Sequence, residues 1–318
     1  MLYPPIEPFD RRMIDVGDGH TVYVEQCGRR DGIPVIVLHG GPGGGCSPGM
    51  RRFFNPRVFR VVLFDQRGCG RSRPSGEVRA NTTAHLIADI TRIRELLGLE
   101  RVILFGGSWG STLALAYAQA EPGAVAYLAL RGVFLATRAE LEWFYGGGAA
   151  RFFPREWEEF CAPIPPEERD DLIAAYHRRL FSGDRALETR CAQAWTAWEN
   201  RLAALPESGG GLAPPDYARV FARLECHYFI NGAFLPADGA LIEGMARIRD
   251  LPGVIVHGRY DMICPPAAAW RLKGVWPAGE LSIVPEAGHA LSEPGIAGAL
   301  VEAMDRIAAA PAALGFRL

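Results

Sequence analysis

The chain has 318 residues, 49% of them hydrophobic, enough to bury a large core as one big domain or two smaller ones. Its formal net charge of −2 at pH 7 gives no electrostatic case for nucleic acid or another polyanion, and no apolar run is long enough to span a bilayer. Cysteines 27, 46, 69, 161, 191, 226 and 264 are odd in number and scattered, without a C-x-x-C pair, so neither a zinc site nor a disulfide framework is indicated. Met1 to Arg12 is rich in proline and charge and lacks an apolar signal core, so a cytoplasmic protein is expected.

Residues 20–27 (His-Thr-Val-Tyr-Val-Glu-Gln-Cys) alternate apolar and polar, the pattern of a half-buried strand near a sheet edge. Pro34–Leu38 is a continuous apolar run, as for a strand covered on both faces. It breaks into His39-Gly40-Gly41-Pro42-Gly43-Gly44-Gly45, too glycine-rich for regular structure. A strand over Arg60–Phe64 runs into Asp65-Gln66-Arg67-Gly68-Cys69-Gly70-Arg71-Ser72. Helical spacing of Leu86, Ile87, Ile90, Ile93, Leu96 and Leu97 marks residues 82–98, stopped by Gly98.

The next stretch, Arg101 to Tyr117, is the most informative. A β-branched run ends in Gly106-Gly107-Ser108-Trp109-Gly110, and small and apolar residues then follow at helical spacing. This is G-x-S-x-G in the strand–turn–helix setting that holds a nucleophile. Bulky neighbours would collide with strand and helix at so sharp a turn, and the helix N-terminus favours developing negative charge. Ser108 is the expected nucleophile.

Val125–Leu130 reads as another strand, and strands alternating with helices imply a largely parallel sheet. The alternation fails over residues 135–236, which are helical in pattern and broken by Ser208-Gly209-Gly210-Gly211 ahead of Pro214-Pro215. It resumes with strands at 253–258 and 280–284 and a closing helix over about 295–309. The expected organisation is an α/β domain of residues 1–134 and 237–318, interrupted by a helical domain of residues 135–236.

A nucleophilic serine needs a base, and the base needs an orienting group. On an open α/β sheet these stand on loops beyond the carboxyl ends of strands. Asp261 follows the 253–258 strand and His289 follows the 280–284 strand, giving the order Ser…Asp…His. Gly45-Cys46-Ser47-Pro48-Gly49 also matches G-x-S-x-G. Pro48 has no N–H to give an oxyanion and no strand immediately precedes Ser47, so Ser47 is a loop serine. The oxyanion donors expected are the N–H groups of Trp109 and Gly41, the latter on a loop whose glycines let a substrate approach. That loop fits no phosphate-binding pattern, since it matches neither G-x-G-x-x-G nor a lysine-bearing P-loop.

Plainer readings cover other residues. Alone, Asp261 could be a turn former or helix cap. His257, inside an apolar strand, reads as core, His39 as a brace for its loop, and Asp65 as a tie for its own turn. His20, His85, His177 and His227 have no supporting pattern. Trp143, Phe144, Tyr145, Phe152, Phe153 and Trp157 read as helix core, and nothing orients a base towards Cys264.

The segments His39–Gly45, Asp65–Gly68, Gly106–Thr112 and His257–Asp261, with Glu140–Tyr145 and Ala222–Phe229, resemble those of the proline iminopeptidases (prolyl aminopeptidases) of the α/β-hydrolase superfamily. The resemblance spans nearly the whole chain. It implies a mostly parallel sheet with helices on both faces, an inserted helical cap, and release of N-terminal proline from peptides without metal or cofactor. It also implies that cap glutamates, Glu199 and Glu225 by position, bind the substrate's free terminus. A carboxylate in a poorly hydrated pocket suits a cationic chain end. Residues 202–216, with the Ser-Gly-Gly-Gly insert, depart from the family pattern beside the pocket wall. An esterase, amidase or lactonase would share the same three residues, and a non-catalytic receptor on this fold would not need them.

Overall fold

The computed structural model describes residues 1–203, 205 and 212–316. The Ser208–Gly211 break, and most of the stretch expected to differ from the family, lie outside them. The strands are β1 (Asp10–Gly17), β2 (His20–Gly28), β3 (Ile33–Leu38), β4 (Phe59–Phe64), β5 (Val102–Ser108), β6 (Val125–Val133), β7 (Gly253–Gly258) and β8 (Gly279–Val284). They form one sheet in the order β1-β2-β4-β3-β5-β6-β7-β8, parallel from β4 to β8 and antiparallel at the β1–β2 and β2–β4 pairs.

Helices α1 (Thr83–Leu96) and α2 (Trp109–Ala120) follow β4 and β5. After β6 come α3 (Arg138–Tyr145), α4 (Pro154–Cys161), α5 (Leu172–Leu180), α6 (Arg185–Ala203), α7 (Pro215–Ile230) and the short α8 (Ala240–Glu243). Helix α9 (Ala267–Val275) lies between β7 and β8, and α10 (Pro294–Ala309) closes the chain. Because side chains alternate across a strand, β3 sends Ile36 and Leu38 to one face and Val35 and Val37 to the other. The first pair packs with α1, α2 and α9, the second with α10 through Ile296, Leu300 and Met304.

The helices between β6 and β7 share the first of these cores. Their centre is aromatic: Phe160 stacks on Tyr176 with centroids 4.8 Å apart, and Tyr145 stacks on Trp195 at 4.3 Å. Phe144 and Tyr145 are core residues as expected, whereas Phe152 stands 61% exposed. No helix among the described residues is long and apolar enough to cross a membrane.

Two features depart from the sequence reading. β1 and α9 carry no clear periodicity: β1 is exposed on most of its length, and α9 buries mainly alanines. β2 is more buried than alternation predicts, since Glu25 and Gln26 are enclosed with their apolar neighbours. Arg51 holds Glu25 with two N–H···O contacts of 2.7 and 3.1 Å, while Gln26 donates to Asp10 and accepts from Arg60. Polar groups so paired can be buried.

Candidate active site

The elbow is built by close backbone approach. A Cβ on Gly106 would stand 2.2 Å from the Gly110 carbonyl oxygen, and one on Gly110 2.0 Å from that of Leu38. Only glycine fits either position. Ser108 itself has φ 57° and ψ −126°, outside the regions that side-chain-bearing residues prefer. Ser111 Oγ donates to the Ser108 carbonyl at 2.6 Å and receives the Phe134 N–H at 3.0 Å, tying the turn to the end of β6. Ser47, by contrast, is exposed, has ordinary extended backbone, and precedes a 3-10 turn over Pro48–Phe53.

Asp261 and His289 meet as their strand positions require. His289 Nδ1 lies 2.7 Å from Asp261 Oδ2. The other carboxylate oxygen accepts the N–H groups of Ile263 at 3.0 Å and Cys264 at 2.8 Å. Burial alone would raise the Asp261 pKa, but the His289 ring and these hydrogen bonds outweigh it and hold the group below its ordinary value. An ionised Asp261 fixes Nδ1 as the protonated nitrogen of neutral His289, leaving Nε2 free to accept a proton.

Among the described residues, Ser108 Oγ makes no hydrogen bond with His289. Strand β6 brings the two together. Its pairing with β5 runs Gly107↔Arg131 and Ser108↔Val133, skipping Gly132 as a bulge. Gly132 has φ +50°, and a Cβ there would stand 2.9 Å from His289 Cε1 and 3.2 Å from Asp261 Oδ2. The residue beside the serine's partner is thus the floor under the imidazole. Catalytic hydrogen bonds commonly tighten only when substrate is bound.

The glycine loop reaches the same point. A Cβ on Gly40 would lie 3.3 Å from Ser108 Cβ and 3.9 Å from its Oγ. The Gly41 N–H has no acceptor among the described residues. That of Trp109, the first residue of α2, has none within its helix. Neither expected donor has an acceptor among the described residues. His39 braces this loop as expected, with Nε2 accepting the Gln66 N–H at 3.0 Å. Asp65 ties more than its own turn: it accepts the Arg71 N–H at 2.8 Å and also the Cys46 N–H at 2.7 Å.

The carboxyls of Glu199 on α6 and Glu225 on α7 are enclosed close enough together to influence each other electrostatically. Trp195 Nε1 donates to Glu225 Oε2 at 2.7 Å. Glu199 Oε2 and the Tyr145 hydroxyl are enclosed without a hydrogen-bond partner. Burial raises both glutamates above the ordinary carboxyl range. The Glu199 charge adds to this for Glu225, and the Trp195 hydrogen bond works against it. Such a pair, with no cation paired to it among the described residues, favours its protonated form and would favour a positive charge brought beside it.

This has a measurable consequence. A carboxyl raised by folding holds more protons folded than unfolded, so its contribution to stability falls as pH climbs from the unfolded value, about 4.3, through the raised folded one. The empty protein is expected to lose melting temperature between about pH 5 and pH 8 relative to a Glu199→Gln/Glu225→Gln double variant, whose amides do not titrate. Parallel pH profiles for the two proteins would mean that folding leaves the pair's titration unchanged.

Several site residues escaped the sequence reading. Arg131 donates to the His289 carbonyl at 2.8 Å, and its guanidinium fills the space where a Gly107 Cβ would be. Its signal was a charged residue inside a buried strand. Trp195 lies one helical turn before Glu199, on the same face, and Tyr145 was hidden in an aromatic run. His257 is core, as expected, but also stands 3.5 Å from Asp261 Oδ2 while accepting the Val133 N–H and bonding the Cys264 carbonyl. The Cys264 thiol is buried, and burial pushes its pKa well up, which disfavours the thiolate a nucleophile needs.

A family model described as alpha/beta hydrolase fold matches residues 33–295. The chain is 52% identical over 307 residues to the proline iminopeptidase of Xylella fastidiosa (strain Temecula1 / ATCC 700964), covering 96% of this chain and 98% of that one. It is 48% identical over 312 residues to the proline iminopeptidase of Arabidopsis thaliana, covering 97% and 82%. Among solved structures, the proline iminopeptidase of Mycobacterium smegmatis superposes with a TM-score of 0.61 at 20% identity, covering 95% of this chain and 100% of that one. The esterase of Exiguobacterium antarcticum gives the same TM-score and identity over 94% and 99%. At that identity the structural likeness speaks for the fold alone.

Proposed function

The chain belongs to the proline iminopeptidases of the α/β-hydrolase fold, and we propose that Ser108, His289 and Asp261 are its catalytic triad. In the same proposal Gly41 and Trp109 are its oxyanion donors, and Glu199 and Glu225 read the substrate. The protein is a serine hydrolase that releases N-terminal proline from peptides. The observation that carries the residue assignment is the 2.7 Å contact between His289 and the enclosed Asp261, beside a serine held in a strained turn.

Ser108 Oγ attacks the carbonyl carbon of the N-terminal proline as His289 Nε2 takes the hydroxyl proton. Asp261 stabilises the imidazolium, and the N–H groups of Gly41 and Trp109 hold the tetrahedral oxygen. His289 then gives its proton to the leaving amine as the C–N bond breaks. Water, deprotonated in turn by His289, hydrolyses the prolyl ester and restores the serine. The helices of residues 135–236 act as a cap whose aromatic wall, Tyr145 and Trp195, closes the pocket behind the imino nitrogen. That nitrogen, as a cation, sits on the glutamate pair, so a blocked terminus is excluded. All seven cysteines are unpaired, which supports a cytoplasmic location, where thiols stay reduced.

Prolyl, alanyl and acetyl-prolyl anilides and a small neutral ester, given to the wild type, test this reading. Fast cleavage of the prolyl anilide with negligible cleavage of the acetylated one is expected. Equal rates for those two would overturn recognition of a free terminus, and turnover of the ester alone would make the protein an esterase.

A further inference from the structure

One face of α7 touches the carboxyl pair, the Trp109 ring and the glycine loop. Phe221, Leu224, Glu225 and Tyr228 recur at the spacing of a single helical face. Glu225 belongs to the carboxyl pair. Tyr228 packs edge-on against the Trp109 ring with centroids 4.7 Å apart. Phe221 lies over the glycine loop: a Cβ on Gly41 would stand 3.3 Å from Phe221 Cε2, and one on Gly43 3.5 Å from Phe221 Cα. Leu224 is as close to the loop, 3.2 Å from a Gly43 Cβ and 3.1 Å from one on Gly68. Tyr217, one turn earlier, stacks on the Phe221 ring at 5.6 Å and 23°. The helix is itself fixed, since Tyr228 donates to Asn81 Oδ1 at 2.8 Å and His227 Nε2 lies 2.9 Å from the Asn81 carbonyl oxygen.

We propose that Phe221 is a positioning residue for the oxyanion hole: its ring, clamped by Tyr217, sets where the Gly41 N–H points. This rests on the reading of Gly41 as an oxyanion donor. The loop from Gly40 to Gly45 has glycine at every position but Pro42, so its own backbone supplies little stiffness. An oxyanion donor must stand about 2.7–3.1 Å from the developing charge to act. His39 and the Gly44 N–H to Gly40 carbonyl bond brace the loop from within, and α7 packs against its Gly41–Gly43 side. The helix that reads the substrate's terminus through Glu225 is therefore also the one that places the oxyanion donor. Phe221 contributes to transition-state binding and not to binding of the ground state.

The probe is pyrrolidine-2-boronic acid, whose boron bonds to Ser108 Oγ and places a hydroxyl in the oxyanion hole. Pyrrolidine, which keeps the ring and its cationic nitrogen but has no carbonyl oxygen, serves as the ground-state ligand. Phe221→Ala is expected to weaken boronate inhibition and lower kcat for prolyl anilide by about tenfold or more each. Pyrrolidine inhibition should stay within about twofold, because that ligand puts no oxygen in the oxyanion hole. Phe221→Tyr keeps the ring and should restore boronate affinity, and the milder Phe221→Leu should fall between if the alanine variant folds poorly. Gly41→Ala moves the loop directly, since its φ of +108° and a Cβ 2.7 Å from Gly43 N leave no room. Weakened boronate binding in both Gly41→Ala and Phe221→Ala supports the proposal. An effect in Gly41→Ala alone overturns it and leaves Gly41 as donor. No effect in either removes Gly41 from the oxyanion hole and the proposal with it. Equal weakening of boronate and pyrrolidine in Phe221→Ala overturns it too, reducing Phe221 to a pocket wall.

Discussion

Ser108→Ala is expected to lower kcat for prolyl anilide by roughly a hundred thousand- to a millionfold with little change in KM, as loss of the nucleophile does in a comparable triad. Alanine keeps the backbone and the glycines that build the turn, so the sheet and α2 are undisturbed. In the proposed site the glutamate pair and the cap would remain to bind substrate, and the N–H groups of Gly41 and Trp109 to polarise its carbonyl. What disappears is the atom that forms the ester. The strain at φ 57° comes from Cβ, which alanine keeps, so melting temperature should stay close to wild type. Steady-state kinetics with a proline-binding check would read this directly. Retention of more than about a hundredth of wild-type kcat would mean that another group carries the attack.

The parts of the site visible in the sequence were those fixed by local backbone geometry. Ser108 stood out because a strand, a glycine-flanked turn and a helix are consecutive in the chain. Asp261 and His289 were found because parallel strands end on one side of the sheet, so residues just past β7 and β8 must approach it. The long parallel strands were legible for the same reason, as unbroken apolar runs. β1 was not, because an exposed edge strand need not carry an apolar face. Arg131, Trp195, Tyr145 and Phe221 were not, because their roles depend on which helices of the cap lie over which loop. Nothing local in α7 says that Phe221 rests on Gly41 rather than on another helix. Glu199 and Glu225 lie on different helices on either side of the 202–216 stretch. Only family resemblance singled them out, and the structure brings them into one pair.

The second large effect is expected at that pair. Glu225→Gln removes a charge but keeps an oxygen to accept the Trp195 N–H, so the aromatic wall should hold. Losing one charged partner of an enclosed cation costs about 2–3 kcal/mol. That corresponds to a KM for prolyl anilide raised roughly 30- to 150-fold at 1.4 kcal/mol per decade. Glu199→Gln should act in the same direction. A small neutral ester carries no cationic terminus, so its hydrolysis should change by less than about twofold in either variant. Equal losses on ester and anilide would show instead that the glutamates hold the triad together. A raised KM for the anilide alone shows that they read the free terminus.

The central claim is that proline is carried on Ser108 between cleavage and release. Wild-type enzyme turning over prolyl anilide should be quenched in acid, digested, and its peptides examined by mass spectrometry for an added prolyl group. That group is expected, in ester linkage, on the peptide containing Ser108, and is expected to be absent in Ser108→Ala. A prolyl group on any other residue would contradict the claim.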